Sequence, residues 1–192
     1  IFLTPHYYRL RNFLSTYEEN LVIFQTLKDK VKEANINVSL YLANEIKYTS
    51  DTLKDIQKGH VRPLKDTHYL LEFSTDESVY QISEAVFNMR AKNYKPILAH
   101  IERYQNLNQV DDVKGLKKLG ALIQINVSSL LGRRGSKVKR WIKRLIKAGL
   151  VDFIASDSHA LRPNLMLEGY QYVEKKFSKD MAKKLFNNKI VL

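Results

Sequence analysis

Short apolar runs alternate along the chain with longer segments whose apolar residues recur every three or four positions. The short runs are typical of buried β-strands and lie at residues 1–4, 38–43, 69–71, 96–99, 121–126 and 151–155. The longer segments predict helices at 17–34, 50–59, 79–89, 110–120 and 138–149, with a largely helical remainder. No linker or break in composition divides the chain. The pattern therefore predicts one domain, residues 1–192, of βα units around a parallel sheet.

Polar residues with metal-binding side chains follow the predicted strands, at the point where each strand ends. In chain order they are His6, Glu45, Glu72, His100, Asp157 and His159. In a barrel of βα units the carboxyl ends of the strands share one face, and that face carries the active site. A doubly wound sheet would gather the same residues in a crevice. Because five strands each deliver a donor, we favour the barrel.

The last predicted strand carries the densest version of this pattern. It leads into Asp157 and His159, and residues two apart in an extended chain point to the same side. We therefore expect the two side chains to converge just beyond the strand. An isolated Asp-x-His is more commonly a helix-capping aspartate beside a surface histidine. The recurrence of strand-end donors along the chain favours a metal site instead.

Three imidazoles and three carboxylates form a nitrogen and oxygen donor set without sulfur. Such a set suits manganese, zinc or iron(II), and it is large enough for more than one ion. Neighbouring metal ions can activate water and hold a phosphoryl group for in-line displacement. Metal-assisted hydrolysis of a phosphoester is therefore the reaction class that the residues favour.

Two arginines lie within three residues of these candidate ligands. Arg103 and Arg162 can each hold phosphate oxygens in a forked arrangement, and the alternative for each is a surface salt bridge. His60 and His68 fall among charged residues in a predicted loop, and we interpret both as solvated.

Composition limits the classes of protein that the chain can represent. Its 192 residues are 44% hydrophobic and 27% charged, which is ordinary for a globular domain with a core. It has no cysteine, which excludes disulfides and a thiol nucleophile and fits a cytoplasmic protein. No apolar run approaches the roughly 20 residues of a membrane span, and no secretory signal is visible.

The formal net charge of +12 favours an anionic partner. Many of the cations lie in the run 133–144, which is best interpreted as the solvated face of an amphipathic helix. Arg133 and Arg134 precede that helix and can steer an anionic substrate toward the site.

Several blocks of sequence together resemble a known family. They are Leu3-Thr4-Pro5-His6, Asn44-Glu45-Ile46, Leu70-Leu71-Glu72-Phe73, Pro96-Ile97-Leu98-Ala99-His100-Ile101-Glu102-Arg103-Tyr104, Gln124-Ile125-Asn126 with Ser129-Leu130-Leu131-Gly132, and Phe153-Ile154-Ala155-Ser156-Asp157-Ser158-His159. Taken together and in this order, the blocks resemble those of the PHP-type (polymerase and histidinol phosphatase) tyrosine-protein phosphatases of Gram-positive capsule and exopolysaccharide operons. The resemblance implies a distorted TIM-like (β/α)7 barrel and a cytoplasmic enzyme with two or three Mn²⁺ ions. It also implies a substrate, the phosphotyrosine tail of a partner tyrosine autokinase.

The resemblance also implies roles for individual residues. The metal ligands would be His6, Glu45, Glu72, His100, Asp157 and His159, with Glu72 bridging two ions. Arg103 and Arg162 would contact the substrate phosphate.

The chain departs from the family pattern in three places. It begins at what looks like the second strand, so the family's initial His-x-His pair and following Asp, and with them about one βα unit, are not in it. Ile101 stands where the family usually has proline, and the segment 159–163 is shorter than the family loop. Because donors are missing, we expect the chain as given to lack full activity.

Other functions fit parts of the same pattern. The nearest is another PHP phosphoesterase, such as a histidinol-phosphate phosphatase. A basic nucleic-acid-binding module with a decayed metal site would explain the charge, although no nucleic-acid-binding motif is present and we expect no such partner. A catalytically inactive domain that only binds the kinase tail is a third alternative. Homo-oligomerisation is left open.

Overall fold

The architecture is a mostly parallel α/β sheet with helices between its strands. The computed structural model describes residues 1–8, 13–159 and 163–187. The strands in this part of the chain are β1 (Phe2–Leu3), β2 (His6–Tyr8), β3 (Phe13–Leu14), β4 (Tyr41–Leu42), β5 (Glu45–Lys47), β6 (His68–Glu72), β7 (Lys95–Leu98), β8 (Leu122–Asn126) and β9 (Phe153–Ala155). The helices are α1 (Tyr17–Glu33), α2 (Thr52–Gln57), α3 (Val79–Ala91), α4 (Val110–Lys118), α5 (Val127–Leu130), α6 (Ser136–Lys147), α7 (Met166–Lys176) and α8 (Lys179–Phe186).

The sheet confirms the parallel topology and leaves the barrel open. Seven strands follow the order β3-β2-β5-β6-β7-β8-β9, and a separate pair joins β1 to β4. All pairings are parallel except that of β2 with β3. Among the described residues, β3 and β9 each pair on one side only, so the predicted closed barrel is not observed.

The first two predicted strands are each interrupted and then resume. His6 and Glu45 follow β1 and β4, as predicted, and each also begins a second strand segment, β2 and β5. The chain pairs as β1 with β4 and then, after a break, as β2 with β5. Pro5 lies at the break, and proline has no N–H to donate to a strand ladder. The parallel register nevertheless sets His6 directly opposite Glu45.

Helix ends follow the local chemistry of the sequence. Thr16 caps α1 in a reciprocal capping box with Glu19, and the Ser78 hydroxyl accepts from the Gln81 N–H at the start of α3. The segment after α4 turns at Gly120, which adopts φ +96°, a conformation that glycine adopts without steric cost. The two caps fix where α1 and α3 begin, and Gly120 fixes where the chain turns from α4 toward β8.

The apolar core lies on both faces of the sheet. On one face the helices pack over residues such as Leu71, Leu98 and Ile125, none of which is exposed. On the other face Leu70, Ile97 and Phe153 form a smaller cluster. This second cluster lines a cavity of about 530 Å³, which also reaches polar side chains including His6, Glu45, Asp157 and His159.

Three further features complete the fold. No residue of α1 is buried, and Val22 and Ile23 are each 72% exposed. The interpretation of His68 as solvated is wrong, because β6 begins one residue before the apolar run and so includes His68, which is 6% exposed. None of the described helices is long and apolar enough to span a membrane.

Two helical glycines provide a matched pair that tests the packing around α5. A Cβ on Gly169 of α7 would overlap Cγ2 of Val127, a branched side chain that cannot rotate away cheaply. Gly169→Ala is therefore expected to lower the free energy of unfolding by about 1–3 kcal/mol. Gly115→Ala in α4 meets no atom within 4 Å and should instead raise it by about 0.5–1 kcal/mol. Urea unfolding of both variants measures these changes, and equal effects would contradict the close α5–α7 packing.

Candidate metal centre

Glu45, Glu72 and His100 form the buried centre of the site. His100 Nε2 lies 3.3 Å from Glu45 Oε1 and 3.6 Å from Glu72 Oε1. One donor atom from each side chain lies within 4.8 Å of the other two. Among the described residues, no other group of three such donors lies this close together. All three residues are buried. Adjacent parallel strands bring them together, since β5, β6 and β7 are neighbours in the sheet.

His6 extends this centre toward the cavity. Its Nε2 lies 3.2 Å from Glu45 Oε2, the second oxygen of the same carboxylate. The side chain is 37% exposed, so one edge of the ring remains accessible. Glu45 therefore lies between two imidazoles, with one of its oxygens facing each.

Asp157 and His159 reach the site from β9, on the far side of His6. The His159 ring stacks on the His6 ring with 5.3 Å between centroids. His159 Nδ1 lies 3.6 Å from Asp157 Oδ1, so the predicted convergence is found. Its premise was wrong, because Asp157 has φ +46° and the chain there is not extended. His100 also adopts a positive φ, +34°. A non-glycine residue is strained in this region, and such strain clusters at functional sites.

Asn126 and Glu102 support the site and were not among the predicted residues. The Asn126 side-chain amide donates to Asp157 Oδ2 at 2.7 Å, which leaves Oδ1 free to face the site. The Asn126 backbone N–H donates to Glu102 Oε1 at 3.2 Å. Burial raises the pKa of the Glu102 carboxyl. Asn126 ends β8, so the rule that found the other strand-end residues would have found it had amides been counted.

Two tyrosines were also missed. The Tyr8 hydroxyl donates to Glu72 Oε2, and burial together with that carboxylate raises the pKa of the Tyr8 phenol. Tyr8 lies two residues after His6 on β2, a spacing that signals the same face of the strand. The Tyr104 hydroxyl donates to the Ala99 carbonyl at 2.8 Å and accepts from the Phe73 N–H at 3.1 Å, which ties the ends of β6 and β7 together.

Burial and neighbouring charges shift the pKa values of Glu45 and His6. Burial alone would raise the pKa of the Glu45 carboxyl, but hydrogen bonds from His100 and His6 outweigh it and lower the pKa to about 2. The bond to Glu45 in turn raises the pKa of His6, against the opposing effect of burial. Glu45 is therefore held ionised and offers negative charge to a cation.

Of the two predicted arginines, Arg103 lies close to the site. It ends a 3-10 helix, Ile101–Arg103, that follows His100. Its Nε is buried and has no hydrogen-bond partner among the described residues. Burial raises the pKa of Tyr8 and lowers that of Lys47; the charge of Arg103 opposes the first shift and adds to the second, which places it beside the Glu72 end of the centre. Arg162 lies outside the described residues.

The donor set fits a divalent cation. Two buried carboxylates and an imidazole converge with oxygen and nitrogen atoms, the ligands that manganese, zinc and iron(II) share. Two carboxylates this close repel unless positive charge is placed between or beside them. The buried Nδ1 of His100 and Oδ1 of Asn126, which lack partners among the described residues, are further polar atoms at the site.

Comparison with known proteins gives a consistent result. The chain is 34% identical over 172 residues to the tyrosine-protein phosphatase CpsB of Streptococcus agalactiae serotype III (strain NEM316), an alignment that covers 85% of this chain and 71% of the relative. It is 32% identical over 189 residues to the tyrosine-protein phosphatase CpsB of Streptococcus pneumoniae, covering 93% and 78%.

Structural comparison agrees with the sequence comparison. A solved structure from the study of YwqE from Bacillus subtilis and CpsB from Streptococcus pneumoniae, described there as unique metal-dependent tyrosine phosphatases, superposes with a TM-score of 0.83. The match has 25% identity and covers 93% of this chain and 74% of the other. The sequence profile of one family, described as "Capsular polysaccharide synthesis, CpsB/CapC", matches residues 1–191. The chain therefore belongs to the CpsB/CapC family.

Proposed function

We propose that this chain is a metal-dependent protein-tyrosine phosphatase, a phosphoric monoester hydrolase that does not use cysteine. The observation that carries the proposal is the buried group of Glu45, Glu72 and His100, whose donors converge within 4.8 Å. The unpartnered Arg103 Nε beside it supplies a cation for phosphate. The relatives' names, tyrosine-protein phosphatases, support the substrate class.

The finer features of the proposal extend from this group. The residues that would hold the cations are His6, Glu45, Glu72, His100, Asp157 and His159, with Glu72 shared between two ions. Mn²⁺ is the proposed ion, because the family resemblance implies it and the mixed imidazole and carboxylate donors accept it. The single domain 1–192 is proposed to be an open form of the distorted PHP-type barrel. Its proposed substrate is the phosphotyrosine tail of a partner tyrosine kinase, and its proposed location is the cytoplasm.

The chain's own residues orient the substrate and hold protons. Arg103 would grip two phosphate oxygens and so align the phosphorus with the centre. Asn126 fixes which oxygen of Asp157 faces the site. Tyr8, whose pKa is raised, keeps its proton and holds Glu72 Oε2 in place. Bound cations would lower the pKa of water and offset charge on the phosphoryl group.

Hydrolysis of phosphotyrosine places modest demands on a general acid. Water adds to phosphorus as the bond from phosphorus to the phenol oxygen breaks. The phenolate that leaves has a conjugate-acid pKa of about 10, so it departs more readily than an alkoxide. Arg162, three residues after His159 in the sequence, is proposed as a second phosphate ligand.

The first prediction concerns turnover of phosphotyrosine. The protein assayed with Mn²⁺ should release phosphate from a phosphotyrosine peptide, and a chelator should stop it. Glu72→Gln removes a buried donor and should lower kcat at least about 100-fold, whereas Glu84→Gln, an exposed residue of α3, should leave the rate unchanged. Activity confined to small phosphomonoesters such as histidinol phosphate would contradict the proposed substrate class.

The second prediction separates the support of Asp157 from general stability. Asn126→Ala removes the donor to Asp157 Oδ2 and should weaken Mn²⁺ binding about 10-fold, measured by titration calorimetry. Asn20→Ala removes an amide that donates to the Ser15 and Thr16 carbonyls at the start of α1, and it should leave Mn²⁺ affinity intact. Equal weakening in both variants would show that loss of packing, not of the hydrogen bond, is responsible.

The third prediction concerns pH. The pKa of Glu45 lies below its ordinary value of 4.5, so its contribution to stability is complete above that pH and is lost as pH falls toward 2. The full shift corresponds to about 3 kcal/mol. Urea unfolding of the metal-free protein between pH 6 and pH 3 should therefore show a steeper loss of stability than Glu45→Gln does. Parallel curves for the two proteins would mean that Glu45 is not held ionised.

A further inference from the structure

A row of exposed cations runs along α6. Lys137, Arg140, Arg144 and Lys147 follow one another at spacings of three and four residues, so they lie on one side of the helix. All four are exposed, and Ile142, Leu145 and Ile146 on the opposite side are buried. At 1.5 Å per residue the row is about 15 Å long. We call these four residues, with the exposed Arg133 and Arg134 that precede the helix, the basic face.

The protein leaves this charge uncompensated. Residues 130–151 contain eight Lys and Arg and no Asp or Glu. No ion pair between described residues involves any of these eight cations. The flanking Lys139 and Lys143 lie over the Tyr172 ring, with Nζ 4.6 and 5.8 Å from its centroid, and such contacts leave the positive charge unneutralised.

Helix α6, which carries the basic face on its outer side, packs next to the elements of the candidate metal centre. Helix α6 packs against the 3-10 helix that ends at Arg103, and it also packs against α5, which begins directly after Asn126. Arg133 and Arg134 lie in the turn between α5 and α6. A polypeptide that extends from the centre past this turn would meet Arg133 and Arg134 first and then the row on the outer side of α6.

We propose that the basic face binds acidic residues that flank the phosphotyrosine of a polypeptide substrate, and so selects acidic target sequences. This inference rests on the proposed phosphatase function. An extended chain rises about 3.3 Å per residue, so a 15 Å row spans about five residues. Complementary charge across such a row raises the association rate and the specificity more than it changes the chemical step.

Other polyanions fit the basic face less well. Single-stranded nucleic acid is bound through aromatic platforms as well as cations, but Arg144 lies over the Trp141 ring, 5.4 Å from its centroid, and Tyr172 is covered by two lysines. Peripheral membrane helices insert apolar side chains, and those of α6 are turned into the core. A short acidic polypeptide requires only the exposed cations.

The test compares two phosphotyrosine peptides that differ only in flanking Glu or Gln residues, with p-nitrophenyl phosphate as a substrate without flanks. The protein should favour the acidic peptide about 10-fold in kcat/KM at low salt, through KM, and the preference should fade near 0.5 M salt. The double variant Lys137→Glu/Arg140→Glu should lose the preference and keep its rate on p-nitrophenyl phosphate. Lys30→Glu/Lys32→Glu, an equal charge change at exposed positions of α1, should retain the preference.

Several results would overturn the inference. Equal use of both peptides by the unaltered protein, or a preference that survives in Lys137→Glu/Arg140→Glu, would do so. The inference would also be overturned if this variant lost binding to duplex DNA or to phosphatidylserine vesicles while its peptide preference did not change. If no substrate were turned over, the proposed function would fail by itself. Fluorescence anisotropy of the labelled acidic peptide would then test the basic face on its own. If the double variant Lys137→Glu/Arg140→Glu bound this peptide as tightly as the unaltered protein does, the basic face would be ruled out as its binding site.

Discussion

Two carboxylates buried against one imidazole are the constraint on which the site depends. Glu45 and Glu72 bring oxygens within 4.8 Å of each other and of His100, where water cannot screen their repulsion. Hydrogen bonds from two imidazoles offset part of this cost at Glu45, and the Tyr8 hydroxyl does so at Glu72. Bound cations would compensate the negative charge that remains. The charge that these hydrogen bonds hold in place is therefore what gives the site affinity for metal ions.

The parallel sheet makes this convergence possible, because neighbouring strands deliver their polar residues to one edge. Support for that edge comes from groups outside the central trio. Tyr104 ties together the ends of β6 and β7 through Ala99 and Phe73, and Asn126 at the end of β8 holds Asp157. The strained backbones of His100 and Asp157 are held in place by these contacts. Precision at the site thus comes from hydrogen bonds between strand ends, while the apolar core supplies the stability.

The sequence predicted the order of strands and helices well, because that order depends on apolar spacing that is local to each segment. Glu72 and His100 were located correctly for the same reason. The second strand segments that begin at His6 and Glu45 were not predicted, because the break at Pro5, and the matching break before β5, depend on pairing between distant segments. Asp157 shows the same limit, since its positive φ is imposed by contacts such as that with Asn126. Asn126 and Tyr8 were missed because only imidazoles and carboxylates were counted as donors, and only coordinates show which donor each of the two holds. The family resemblance supplied a barrel, but the described strands do not close one.

The central claim is that cations bind between Glu45, Glu72 and His100. Anomalous diffraction from crystals grown with Mn²⁺ tests it most directly, with data collected on both sides of the manganese absorption edge. The account predicts a strong peak within bonding distance of both carboxylates and of His100 Nε2. Peaks found only at surface carboxylates, with these three side chains paired as in the metal-free protein, would contradict it.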